Sequence, residues 1–164
     1  MNSTLLERST LAERFTGAAT AAQLMDHRTP QAMALLEEHH HAENTHNIPR
    51  ITETYGEHSR MVFNNAAFDG LDALEKAHVA VGFGNDGTFG DIMLTVFKYH
   101  QSKDAITVEF GIKAKHVGPF GDIPATGRQV EFPAVGIYTF DVGGKLVQEN
   151  ITFDSGGIAQ QLRA

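Results

Sequence analysis

Apolar residues recur at every second position in four stretches of the C-terminal half: Asp91–Gln101, Ala105–Val117, Arg128–Phe140 and Lys145–Asp154. That period belongs to a strand with one face on a core, so each stretch is predicted as a β-strand. Turn residues at Ser102–Asp104, Gly118–Gly127 and Asp141–Gly144 separate them, and the links favour an antiparallel, curved meander. Nearer the N-terminus the period becomes helical. Thr29-Pro30 supplies an N-cap with proline at the first helical position, and Met33, Leu35, Leu36, His39, His40 and Ala42 or Glu43 continue one broad face. This helix should end near Asn47, because the residue before Pro49 is pushed out of helical geometry. Pro49–Tyr55 predicts a short second helix stopped by Gly56, and Arg60–Phe68 a short strand. From Asp69-Gly70 onward, Leu71, Leu74, Ala77, His78 and Val81 mark another helix, and Gly82–Gly90 a loop. Residues 1–28 lack regular spacing and are predicted as an arm or frayed helix. That leaves 29–164 as one α+β domain with helices on one face of the sheet.

One position breaks the pattern. In Lys145–Asp154 the residues Val147, Glu149, Ile151 and Phe153 share a face, while Gln148, Asn150 and Thr152 share the other. A carboxylate in the middle of an apolar face is paired or lines a cavity, because lone charges are rarely buried.

Composition narrows the function classes. The chain has 164 residues, a net charge of -7 and scattered basic residues, so a nucleic-acid partner is not expected. With no cysteine, disulfides, thiolate metal sites and a cysteine nucleophile are excluded. Neither a basic-plus-apolar leader nor an apolar run near 18 residues is present, which predicts a cytoplasmic protein with no membrane partner.

Several side chains could carry chemistry. Glu149 in an apolar setting would be pushed toward the pKa range of a general acid or base; the alternative is a structural carboxylate paired with a histidine or arginine of the helical layer. His116 shares the face of Val108, Phe110, Ile112 and Ala114, where it could shuttle protons or buttress the following loop. His39, His40, His41 and His46, with Glu43 and Asn44, form the most polar part of the first helix; at 100° per residue one or two of them point inward. His39 and Glu43 lie four apart, so two roles compete for them: a zinc site with His116 or Glu149 as third ligand, and a polar lining that positions a substrate carbonyl. Without an H-E-x-x-H pattern, no metal and no other cofactor is expected. Gly82–Gly90 lacks phosphate-loop spacing.

His116, Gly118, the run Gly121-Asp122-Ile123-Pro124-Ala125-Thr126-Gly127-Arg128, the later Gly144-Lys145-Leu146-Val147 and the terminal Gln160, Gln161 and Leu162 are similar to the pattern of SnoaL-like polyketide cyclases, the ester-cyclase branch of the nuclear-transport-factor-2-like superfamily. The resemblance covers about residues 30–163. It implies a cone-shaped, strongly curved antiparallel sheet wrapped around the N-terminal helices, a deep apolar pocket between them, and a homodimer through the outer sheet face. Relatives of this fold include isomerases, dehydratases, epoxide hydrolases and binding proteins, so the site must decide the function. Where the cyclases tend to carry a Trp-Asp pair, this chain reads Asn150-Ile151. The usual catalytic acid is thus missing, and Glu149, one inward step earlier, is its expected replacement.

Within that implied pocket, the expected catalytic set is Glu149, His116 and His40. Asn44, His39, Tyr55, Phe97, Phe110 and Phe153 are expected to bind substrate, with Tyr55 as a phenol donor. Tyr138 is the other possible phenol donor, but it is opposite in parity to Val135, Ile137 and Thr139 and is expected on the dimer face if Glu149 faces in; Asp154 is expected as a helix N-cap. The resulting expectation is a cofactor-independent acid/base cyclase, isomerase or dehydratase for a hydrophobic, carbonyl-bearing small molecule such as a polyketide or terpenoid intermediate. Two alternatives stay open: a non-catalytic apolar-ligand-binding protein, and a metal-dependent His/carboxylate enzyme.

Overall fold

Thr29 caps the first helix. Its hydroxyl accepts a hydrogen bond from the Ala32 amide at 3.2 Å, and α1 runs Pro30–Asn44 in the computed structural model, which describes residues 23–164. Residues 1–22, most of the predicted arm, lie outside the described residues. Asn47 accepts from the Arg50 amide at 3.1 Å and caps α2, Ile48–Thr54.

The predicted strand Arg60–Phe68 is instead a hairpin of β1, Tyr55–Phe63, and β2, Ala66–Asp69. Asn64 makes the turn at a φ of 49°, a conformation asparagine tolerates better than most residues. Tyr55 therefore begins a strand rather than ending a helix. Helix α3 spans Leu71–Val81, and its last turn stops at Gly82, whose φ is 131°.

The four long strands follow the alternation closely as β3, Phe89–Gln101; β4, Ile106–His116; β5, Gln129–Phe140; and β6, Leu146–Phe153. Helix α4, Ser155–Arg163, is capped by Asp154, which accepts from the Gly157 amide at 2.9 Å. Gln161 then clamps α4 to β5 through both the amide and the carbonyl of Glu131.

Among the described residues six strands form one sheet in the order β2-β1-β6-β5-β4-β3. The sheet is mixed rather than wholly antiparallel, because β1 and β6 pair in parallel. A short turn forces antiparallel direction only on strands adjacent in sequence, and these two are not. Helices α1–α3 cover the inner face, where Leu36, Ile51, Leu74, Ile92, Ile106, Phe110 and Ile151 are buried. Among the described residues no helix is long and apolar enough to cross a membrane.

The segment before α1 is also anchored. His27 is fully buried, its Nδ1 lies 3.0 Å from the Lys103 carbonyl oxygen, and its Nε2 accepts from the Phe140 amide at 2.7 Å. One imidazole thus ties the chain entering α1 to the β3–β4 turn and to the end of β5.

Candidate functional site

Helical spacing and strand parity bring four ionisable side chains together inside the curve of the sheet. His39 and Glu43, one turn apart on α1, meet His78 from α3 and Glu149 from β6. His39 Nε2 is 3.6 Å from Glu43 Oε1 and 3.7 Å from Glu149 Oε2, and His78 Nε2 is 3.8 Å from Glu43 Oε1. All four residues are buried. The Tyr55 phenol donates a hydrogen bond to Glu149 Oε2.

Neighbouring bonds set the tautomers. Thr54 donates its hydroxyl proton to the Ile51 carbonyl at 2.7 Å, so it accepts from His39 Nδ1 at 2.8 Å. His78 Nδ1 donates to the Leu74 carbonyl at 2.7 Å. In both neutral rings the Nε2 atom carries a lone pair, and both Nε2 atoms are buried without a hydrogen-bond partner among the described residues.

Burial dominates the electrostatics. Desolvation pushes the Glu149 carboxyl up to about 7, against the Tyr55 hydrogen bond, which lowers it. Glu43 is raised by desolvation and then by the charge of Glu149. Desolvation lowers His39, helped by His40 and His78, and brings His78 down to about 4 against its bond to Leu74. The phenol of Tyr55 is raised by burial and then by Glu149.

A second pair adjoins the first. His40 Nε2 lies 3.1 Å from the Tyr138 hydroxyl, and desolvation lowers this imidazole to about 4. Tyr138 is directly opposite Glu149 in the β5–β6 register and fully buried. The expectation that it faces a dimer partner is thereby corrected: directly opposed residues point to the same side of a sheet, while Val135 and Ile137 turn outward, 41% and 40% exposed.

An apolar cavity of about 620 Å³ opens nearby, bounded by α3, the hairpin and the sheet, with Phe63, Phe83, Phe89, Phe132 and Phe153 among its walls. Glu149 is not on that wall. Along the inward face of β6, Phe153 reaches the cavity, Ile151 follows in the core and Glu149 comes next. Phe83 joins the two regions, bordering the cavity and packing on the His78 ring at 5.7 Å.

The structure therefore groups His39, His40, Tyr55 and Glu149 and disperses the rest. His116 lies far from Glu149. Tyr138 registers with Ile106 on β4, ten residues from His116, or about 33 Å of strand. There its Nδ1 accepts from the Thr126 amide at 3.2 Å and braces the loop after β4, while its ring packs on Phe89 of the cavity wall at 5.9 Å. Asn44 has both ends of its amide committed to Leu94, at 3.0 and 2.8 Å, which pins α1 to β3. Phe110 is buried against His40 and does not line the cavity. Phe97 is 66% exposed on the outer face, packed over Gly111, because its parity is opposite to Ile92 and Leu94. Phe153 does line the cavity. Sequence reasoning does not single out His78, and it sets Tyr138 on the dimer face although it is also a possible phenol donor. The available signal for His78 was an imidazole in the apolar stripe of its helix, four residues after Leu74.

Comparison with known proteins agrees with this architecture. The family model for SnoaL-like polyketide cyclases matches residues 33–162. Among solved structures, one assigned as a SnoaL-like polyketide cyclase from Jannaschia sp. CCS1 superposes with a TM-score of 0.73 at 18% identity, covering 84% of this chain and 96% of that one. AclR from Streptomyces galilaeus, assigned as a hydroxylase, gives 0.68 at 20% identity, with coverage of 80% and 94%. TsrD from Streptomyces laurentii gives 0.68 at 22% identity, again with 80% and 94%. No curated protein matches the sequence. At these identities the structures establish the fold, and the family match adds that this chain belongs to the SnoaL-like polyketide cyclases.

Proposed function

We propose that this chain is an enzyme that moves a proton beside the carbonyl group of an apolar small molecule, in a cyclisation, isomerisation or dehydration. The observation that carries this reading is a carboxyl group inside the curved sheet, hydrogen-bonded by the Tyr55 phenol, one core residue beyond an apolar cavity. In this reading the cavity takes the hydrocarbon body of the substrate, and displacement of Phe83 admits its carbonyl to the centre. Glu149 accepts or returns the proton. Tyr55 donates to the developing enolate oxygen, and the Tyr138–His40 pair supports the second donor position. A polyketide or terpenoid intermediate has the required body and functional group.

A second reading has its own support: buried Ile151 stands between the cavity-lining Phe153 and Glu149 along β6, an arrangement that also suits a protein that only holds an apolar ligand. Turnover of an enolisable-ketone panel by wild type and Glu149→Gln separates the two. Enzyme action requires a drop of roughly a hundred- to ten-thousand-fold in kcat in the variant. No turnover by wild type, or equal rates, leaves only ligand binding. The soluble assembly proposed with this activity is a homodimer through the outer sheet face, supported by the exposed Met93, Phe97, Val135 and Ile137.

A further inference from the structure

We propose that His39 Nε2, His78 Nε2 and the carboxylates of Glu43 and Glu149 form a binding site for one first-row divalent transition-metal ion of the zinc type. Donor atoms of His39, His78 and Glu149 all lie within 4.8 Å of one another. Glu43 borders both imidazoles at 3.6 and 3.8 Å. Those gaps are too long for hydrogen bonds. These two gaps are a few tenths of an ångström above the spacing of about 3.3 Å between donors that tetrahedral bonds of about 2.0–2.1 Å to zinc would impose, and separations of up to 4.8 Å in the set of three have further to close around an ion.

Three further observations point to an ion. Both Nε2 atoms and Glu43 Oε2 are buried and lack a hydrogen-bond partner among the described residues, although buried polar groups are nearly always satisfied. Each imidazole is already oriented from behind, His39 by Thr54 and His78 by the Leu74 carbonyl, so that its lone pair faces the centre. Metal-binding histidines are held in this way. Finally, among the described residues the groups within 4 Å that could offset the charges of Glu43 and Glu149 are imidazoles, which are neutral in the tautomers set by Thr54 and Leu74. A divalent cation would neutralise two carboxylates that otherwise repel each other in a dry core. Two nitrogen donors out of four favour a transition metal over calcium or magnesium.

Ion binding here goes beyond the proton-transfer reading and does not depend on it. A proton and an ion compete for Glu149, so binding and turnover are measured separately. Protein stripped with chelator and dialysed is titrated with zinc chloride by calorimetry, and with cobalt(II) by visible absorption. One ion per chain is expected, with the d–d bands of a four-coordinate centre. Thr54→Val should weaken zinc by roughly 10–100-fold through loss of the bond to His39. His78→Gln and Glu43→Gln should each weaken it at least as much, and His41→Gln, on the exposed side of α1, should leave it unchanged. Circular dichroism shows which variants fold; Thr54→Val removes no core volume and serves if the others fail. Failure of stripped wild type to take up stoichiometric ion overturns the assignment, as does a loss with His41→Gln equal to that with Thr54→Val. Turnover of the ketone panel by stripped and reloaded protein then judges the proton-transfer reading alone, whatever the calorimetry shows.

Discussion

At the scale of single residues, inward-facing polar groups in this chain do different work according to the partners they meet. Glu149 and His78 stand in a centre with unsatisfied atoms, whereas His27 has both ring nitrogens occupied. Two bonds from one fully buried ring make His27 a tie between the sheet and the approach to α1. His27→Ala would leave the Phe140 amide and the Lys103 carbonyl without this partner, at a cost of about 1–3 kcal/mol. Urea denaturation of the variant should show a lower midpoint with an unchanged slope. An unchanged midpoint would mean that water replaces the ring.

At the scale of elements, the critical joint is the end of α3, where the chain must turn from His78 toward the cavity wall. Gly82 adopts a φ of 131°, and an added Cβ would overlap the Phe89 carbonyl. Backbone at that position cannot shift without moving both α3 and the start of β3. Gly82→Ala should therefore destabilise the fold by at least about 2 kcal/mol, and thermal unfolding provides the check. Since α3 also carries His78, a partly folded Gly82→Ala protein should lose metal binding together with stability.

At the scale of the whole molecule, the sheet has two faces with different work. Its inner face is covered by helices and holds the centre. Its outer face carries Val135 and Ile137 on the middle of β5, with Met93 and Phe97 on the edge strand β3. Apolar groups concentrated on one exposed face mark an interaction surface. Val135→Glu together with Ile137→Lys should convert the proposed homodimer to monomers in sedimentation velocity without unfolding them. A wild type that sediments as a monomer at micromolar concentration would remove the outer-face dimer.

Features that depend on neighbours along the chain are legible in the residues alone. Alternation placed the four long strands within a few residues and turned Glu149 to the same side as Ile151 and Phe153, because side-chain direction in a strand is a local, period-two property. Thr29 and Asp154 declared helix starts for the same reason: a cap bonds to amides two or three residues away. The family pattern from His116 to Arg128 pointed to the fold. Tertiary structure alone decided the rest. Parity cannot say which face of a strand is buried, so Tyr138 and Phe97 could be placed only by the register of β5 with β6 and of β3 with β4. Nor does spacing reveal how α1, α3 and β6 pack. The meeting of His39 and Glu43 with His78 and Glu149 joins residues up to 110 positions apart, and its chemistry exists only once the sheet has closed around the helices and excluded water.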